Sequence, residues 1–503
     1  MRSALLLLIG AAALADPAWG AGPGPFRVID FGPSGRITST IYDDLDGDGR
    51  CEILLFYGHR IAVHVADEAG NFAPEPARVV ELPADALAFC LGQLDEDFRT
   101  RELAVVIPAG VLAYRSPGGD WLSKTRTLVA SENLVTGGEP DAVHWRGFVR
   151  DLDGDGLDDL LLATGLGFGV YYQQWQDGGE GGSRRPGRWP ERPDRLLPYS
   201  LASAVSADPA GLTGTFRGEI GVPDVLLADF DGDGRADVGL DDGRTIRVFT
   251  AGEDGRVLSE ASMAIDLSPL AGPDGAIPRF FVKDLTGDGR PELLVSRRTE
   301  GITDLYLSTG DIAAPALRIK IPGWSFEPRF ADLDGDGHPD LVIPVTPEFG
   351  PTTIMSVAVT GSVGVLNHVF LNTGDAAAPF RKTPDHVREV RVRIVPYIDS
   401  AGNVRATHTV LVNFEADFDG DGRKDLLLRE GADEVRIFPG TADGLFRTEP
   451  ALSVRIPDPA DATGLESLVA DLNGDGRLDV ALFYESHSRT MDRLVLLLAE
   501  KGE

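Results

Sequence analysis

An acidic nonapeptide recurs seven times along this chain, and few folds can accommodate it. It reads Asp-x-Asp-Gly-Asp-Gly-x-x-Asp/Glu followed by an apolar run, and it begins at Asp44, Asp151, Asp229, Asp284, Asp332, Asp417 and Asp471. A degenerate eighth copy starts at Gln93, with one residue inserted and the glycines gone. The starts are separated by 49, 58, 78, 55, 48, 85 and 54 residues. A period near 50 belongs to repeat architectures, in which each unit buries its apolar face against the next. The copies run through most of the 503 residues. That is more chain than the roughly 250–300 residues one hydrophobic core usually organises.

The surroundings of the motif repeat as well. A short apolar stretch precedes it, as in Ser39-Thr40-Ile41-Tyr42, and a second follows, as in Ile53-Leu54-Leu55-Phe56. An alternating segment comes next, such as Ile61-Ala62-Val63-His64-Val65, and a fourth closes the unit, as in Ala451 to Ile456. Runs of four to eight residues with period-two alternation between Gly, Asp and Pro read as strands. Four strands per unit of about 50 residues predict the blade of a β-propeller. The last unit supplies three strands, around Leu468, Val480 and Leu494–Leu498, while Phe26–Phe31 forms an orphan strand ahead of the first motif. That strand completes the last blade if the chain closes on itself, leaving no open edge. The expectation is an all-β, eight-bladed propeller over residues 21–503 as a single domain; seven blades is the alternative.

Carboxylates on alternate residues of a tight loop crowd hard oxygen donors around one point, as Ca²⁺ requires. In the first loop Asp44, Asp46 and Asp48 alternate, the carbonyl of Arg50 follows, and Glu52 closes the set. The same five positions hold Asp151, Asp153, Asp155, Leu157 and Asp159 in the next full copy, then Asp229, Asp231, Asp233, Arg235 and Asp237. Asp284, Thr286, Asp288, Arg290 and Glu292 follow, and then Asp332, Asp334, Asp336, His338 and Asp340. The last two sets are Asp417, Asp419, Asp421, Arg423 and Asp425, and Asp471, Asn473, Asp475, Arg477 and Asp479. Several structural calcium ions are therefore expected between the first and second strands of the blades. A helical calcium loop needs an acid at its twelfth position. Here that position is Leu55, Leu162, Leu240, Val295, Ile343, Leu428 or Leu482, which excludes it.

These loops, the unit length and the four-strand pattern together resemble the FG-GAP or VCBS-type repeats, best known from integrin α-chain propellers. The resemblance runs from about Phe26 to Leu498. It implies ligands at the first, third, fifth and ninth positions of each loop and a backbone carbonyl at the seventh. Thr286 and Asn473 depart from the pattern, the Phe-Gly and Gly-Ala-Pro signatures are mostly missing, and the Gln93 copy is expected to be metal-free. No adhesion-type metal domain is inserted, so no integrin-like ligand site is implied.

Charge and the N-terminus bear on compartment and partner. The net charge of −32 argues against nucleic acid or anionic lipid, both of which need a basic face. Met1 and Arg2 followed by the apolar run Ala4–Ala15 and by Ala18-Trp19-Gly20 have the layout of a signal peptide, residues 1–20. The run is too short to span a membrane, and no later segment is long enough. The mature chain is expected to be exported (secreted, periplasmic or surface-associated) and monomeric. Cys51 and Cys90 either pair across neighbouring blades or remain two thiols.

The eight histidines are scattered, and the sequence lacks His-Glu-x-x-His and Gly-x-Ser-x-Gly, so no catalytic residue is assigned. The expected role is a non-catalytic binding, adhesion or scaffold module for a protein or glycan. The alternative is a lyase-like polysaccharide-active enzyme on an eight-bladed calcium propeller. Specific function is sought in two insertions. The first, about 173–222, carries Trp175, Trp189 and Tyr199 among Arg184, Arg185, Arg188, Arg192 and Arg195; the second, about 344–365, carries the apolar stretch Ile354–Val359.

Overall fold

A computed structural model describes residues 25–501 except 95–99, 132–133, 135–142, 177–184, 200–202, 207–216, 221, 273–274, 298–299, 309–311, 313, 347–358, 399–403, 409–411, 431–432, 444–445, 458–461 and 487–491. Antiparallel sheets of four main strands succeed one another along the chain as eight blades. In the first blade Ser39–Asp43, Glu52–Tyr57, Arg60–His64 and Arg78–Glu81 pair in chain order. Ile41 lies opposite Leu54, which lies opposite Val63. The innermost strands of the next six blades begin at Ala88, Val149, Asp224, Arg279, Arg329 and Val412. The eighth blade starts with Ala462–Ala470.

Successive side chains of a strand point to opposite faces of the sheet, and here both faces are covered. Ile53 and Leu55 pack with Leu468, Ala481, Phe483 and Leu496 of the eighth blade. Leu54 and Phe56, on the other face, pack with Phe89, Leu91 and Leu103 of the second. Phe56 stacks on Phe89 with ring centroids 4.0 Å apart. Burial on both faces explains why the second strand of each unit is continuously apolar instead of alternating. An equivalent apolar layer lies between every other pair of neighbours around the ring. The layer between the eighth blade and the first closes the circle, so the count is eight and the seven-bladed alternative falls.

The N-terminal strand, Phe26–Pro33, pairs antiparallel with Arg493–Ala499 and is the outermost strand of the eighth blade. Phe26 lies opposite Ala499 and Val28 opposite Leu497. Residues 1–20 lie outside the described residues. No helix among the described residues is long and apolar enough to cross a membrane.

Three sequence readings need adjustment. The stretch 173–222 is not wholly an insertion, because the outermost strand of the third blade, Arg195–Leu197, lies within it. Around that strand sit two hairpins, Gln174–Gln176 with Arg185–Arg188 and Ser203–Ser206 with Arg217–Ile220. Trp189 packs against the layer between blades two and three, and the buried Tyr199 hydroxyl donates to the Thr164 carbonyl at 2.7 Å. Both are therefore part of the scaffold. In the second stretch, Pro344–Thr346 and Ser362–Val365 belong to paired strands of the sixth blade, and Ile354–Ala358 lies outside the described residues. Cys51 and Cys90 sit in different interblade layers, 8/1 and 2/3, and both are free thiols. Burial pushes Cys51 up to about 12 and Cys90 to about 11, so neither is a ready nucleophile.

Candidate metal loops at the blade junctions

Each full motif forms the turn from the first to the second strand of its blade, and its acids have separate tasks. The first Asp accepts from the amide of the fourth residue with one oxygen and of the sixth with the other, at 2.6–3.0 Å in all seven loops. Both of those residues are glycines with φ between 72° and 89°, a region that other residues enter only at a cost. The fifth residue, Asp throughout, accepts from the amide of the seventh at 2.8–2.9 Å. The loop is thus wound around its own carboxylates, in the manner of Asx turns.

The ninth residue is the anchor. One of its oxygens accepts from the amide of the second residue at 2.6–3.0 Å in every full copy. Where it is Asp, the other oxygen accepts from an amide at or just past the end of the third strand, at 2.7–2.9 Å: Gln173, Ala251, Asn372, Gly440 or Ala499. A single carboxylate thereby ties the loop to the end of the third strand, which returns to the same side of the blade. Burial raises these acids, against the pull of their amide donors and with the neighbouring loop acids adding to the rise. Glu52 goes to about 9, Asp159 to about 8, Asp340 and Asp479 to about 7, and Asp425 and Glu292 to about 6.

In five loops three carboxylates converge, each with an oxygen within 4.8 Å of the others. They are Asp44, Asp46 and Asp48; Asp151, Asp153 and Asp159; Asp229, Asp231 and Asp237; Asp332, Asp334 and Asp336; and Asp417, Asp419 and Asp425. Hard, anionic oxygens on a turn of this tightness suit a divalent cation of the Ca²⁺ class, so the donor chemistry fits. Mutual repulsion points the same way. Asp46, Asp334 and Asp419 are raised by burial first and next by the fifth-position Asp beside them. The loops carrying Thr286 and Asn473 form no such group among the described residues.

Side chains at the seventh position do something the sequence reading missed. Arg50, Arg235 and Arg423 fold back onto Asp48, Asp233 and Asp421. Arg477 does the same to Asp475 at 2.5 Å. Arg290 instead donates to the Asp231 carbonyl in the preceding blade's loop at 2.6 Å, and Leu157 is buried. Further links run between loops. The Cys51 amide donates to the Leu472 carbonyl at 2.9 Å, and Asn372 Nδ2 to the Leu285 carbonyl at 2.7 Å. Arg256, from the turn after the third strand of blade four, places Nε 3.3 Å from Asp153 Oδ2 and lies 4.6 Å from the Tyr172 ring centroid. Trp175 Nε1 donates to the Asp155 carbonyl at 3.4 Å. The Gly-Glu-Asp-Gly-Arg turn at 252–256 was the only local signal for Arg256.

In the degenerate copy the described residues include the anchor. Glu102 accepts from the Leu94 amide at 2.8 Å and from Thr100 at 3.1 Å, and burial raises it to about 7. Residues 95–99 lie outside the described residues.

A family model described as FG-GAP-like repeat matches residues 284–343 and 417–482. No curated protein matches the chain. Among solved structures, the chain is similar to an Agrocybe aegerita lectin that recognises non-reducing terminal N-acetylglucosamine. The two are 18% identical over 86% of this chain and 91% of that one, with a TM-score of 0.42. It is also similar to the V. cholerae biofilm matrix protein Bap1, 12% identical over 97% and 90%, TM-score 0.36. A third is the WD40 domain of Toxoplasma gondii coronin, 9% identical over 95% and 88%, TM-score 0.35. None of these likenesses bears on ligand or activity. Each matched repeat segment runs from one blade's acidic loop into the second strand of the next blade, taking in the loops at Asp284, Asp332, Asp417 and Asp471. The protein is an eight-bladed β-propeller that carries FG-GAP-like repeats.

Proposed function

We propose that the chain is an exported, calcium-stabilised binding module that presents a rigid ring to a protein or glycan ligand. The observation that carries this reading is the convergence of three carboxylates in each of five loops at the blade junctions. In each, the Asp residues at positions one and three, with position five or nine, would hold a Ca²⁺ ion. That ion supplies charge neutralisation and coordination, and the loop's glycines and buried anchor keep the oxygens convergent. Binding is favoured over catalysis because the raised carboxylates at the ninth positions are already committed to backbone amides. A carboxylate so engaged is an anchor, whereas a general acid or base needs to reach a reacting proton.

Calcium that binds only the folded chain adds about 2.7 kcal/mol per site at 100 times Kd. Thermal melts in millimolar Ca²⁺ should therefore lie many degrees above melts in chelator, with several equivalents of calcium found by elemental analysis. Coincident melts together with no bound metal would overturn the calcium reading. A glycan and protein array probed with the calcium-loaded chain tests the binding role.

A further inference from the structure

One cavity of about 280 Å³ opens where the ring closes, between the eighth blade and the first, with none of the loop acids in its lining. Its walls include Phe31 and Leu494 from the eighth blade and Leu55 from the first, with Pro74 and Pro76 at one side. Tyr57, Arg60, His64 and Ser34 supply its polar groups, the Ser34 hydroxyl already donating to the Asp492 carbonyl at 2.9 Å. Ligand pockets are usually roughly 300–1,000 Å³ and apolar, with a few convergent polar groups. This one is at the small end and takes a single ring.

The polar groups define the chemistry of that ring. Arg60 is exposed and rests on the Tyr57 ring, 5.4 Å from its centroid. No carboxylate among the described residues pairs with it, in a chain whose net charge is −32. An unpaired guanidinium fork beside an aromatic wall is a carboxylate receptor. His64 Nδ1 lies 3.1 Å from the Ala73 carbonyl oxygen. A carbonyl only accepts, so Nδ1 carries the proton; burial lowers the pKa and keeps the ring neutral. The other nitrogen is then an acceptor for a ligand hydroxyl. Phe31 packs edge-on against His64 with centroids 4.9 Å apart, giving an apolar wall for a ring's C–H face. Gly35 also lines the cavity, and a Cβ there would stand 3.8 Å from the Tyr57 ring, in ordinary contact.

We propose that this seam cavity binds one uronic acid residue of an acidic polysaccharide, its carboxylate on Arg60, a hydroxyl on His64 and its C–H face against Phe31. The inference rests on the binding-module reading and names a ligand class for it. Glu75, which acts electrostatically on His64, and Glu81, directly opposite Arg60 in the strand register, are acids nearby that oppose an anionic ligand.

Saturation-transfer NMR and calorimetry on the intact, calcium-loaded chain, with glucuronic acid, glucose and acetate as probes, test it. Glucuronic acid should bind saturably and more tightly than glucose or acetate. Arg60→Gln should weaken it by about tenfold or more, and Glu75→Gln should strengthen it modestly. Unchanged melting of both variants shows that the fold is kept. No saturable binding of glucuronic acid up to roughly 20 mM, equal binding of glucose, or equal binding by Arg60→Gln each overturns the proposal. Array binding that persists in Arg60→Gln would move the ligand elsewhere and leave the binding-module reading intact. An array blank for the calcium-loaded wild type would count against that reading itself.

Discussion

Asp425 shows what the ninth residue of a loop does before any cation arrives. Its two oxygens accept from the amides of Phe418 and Gly440, at 2.7 and 2.8 Å, in a fully desolvated setting. Asn in its place keeps one acceptor and turns an N–H₂ group toward the other amide, so one buried donor loses its partner. Asp425→Asn should cost about 2–4 kcal/mol by chemical denaturation even in chelator. Glu102→Gln in the degenerate loop should cost under about 1 kcal/mol, since the second partner there is the Thr100 hydroxyl, which can donate or accept. Equal costs would mean that the anchor is not a two-amide clamp. Glu466 makes a different prediction. Its Oε2 is buried with no hydrogen-bond partner, and burial, then the charge of Glu485, raise it from 4.5 to about 7. An acid raised in the folded state contributes its full stability below pH 4.5 and loses it as pH climbs through 7. Glu466→Gln should therefore raise the melting temperature at pH 8 and leave it nearly unchanged at pH 4.5, a difference of about 1–2 kcal/mol. A gain that is the same at both pH values would sink this reading.

Among the elements, the turns after the third strands do more than connect. Gly255 has φ +79°, and a Cβ there would come within 2.5 Å of the Asp153 carbonyl oxygen in the previous blade's loop. Gly474 in the last loop stands in the same relation to the Gly49 carbonyl of the first. Gly255→Ala combines a left-handed backbone with a backbone clash and should cost about 1–3 kcal/mol in a melt. Gly275→Ala, also at positive φ but with open space around it, should cost only the conformational share. Equal losses would show that the interblade contact adds nothing. The acidic loops, the strands flanking them and the closing strand were legible because each leaves a local pattern that recurs near every 50 residues. The Arg256–Asp153 contact was not, since it joins residues 103 apart through the ring's curvature. Nor was the outermost strand of blade three: Arg195–Leu197 is short and sits among Pro, Gly and Arg, so its composition reads as loop. Within the motif, the pattern located the acids but not their division of labour. Which carboxylates converge and which clamp amides depends on the third strand, which no nonapeptide contains.

At the scale of the whole molecule, closure is the step on which the ring depends. The N-terminal strand touches three parts of the protein at once. It pairs with Arg493–Ala499 along its own blade. Phe26 reaches Phe418 of blade seven edge-on at 6.3 Å, and Phe31 reaches His64 of blade one at 4.9 Å. Asp30 adds an ion pair to Arg493 at 3.3 Å. Removing Phe26–Phe31 while keeping the preceding residues would strip the eighth blade of its outermost strand, leaving the amides and carbonyls of Arg493–Ala499 as an open edge. It would also thin the apolar layers on both sides of that blade. An open, flat and apolar edge is a template for pairing with another chain. The strand Leu494–Leu498 that would be exposed is buried leucine and valine throughout. The truncated chain should melt about 5 °C or more below the parent and elute as dimers or larger species in size-exclusion chromatography. A peptide spanning Phe26–Pro33, added in excess, should restore the monomer by refilling the edge. A truncated chain that stays monomeric with the parent's melting temperature would show that the ring is held by its interblade layers alone and that the strand is an ornament.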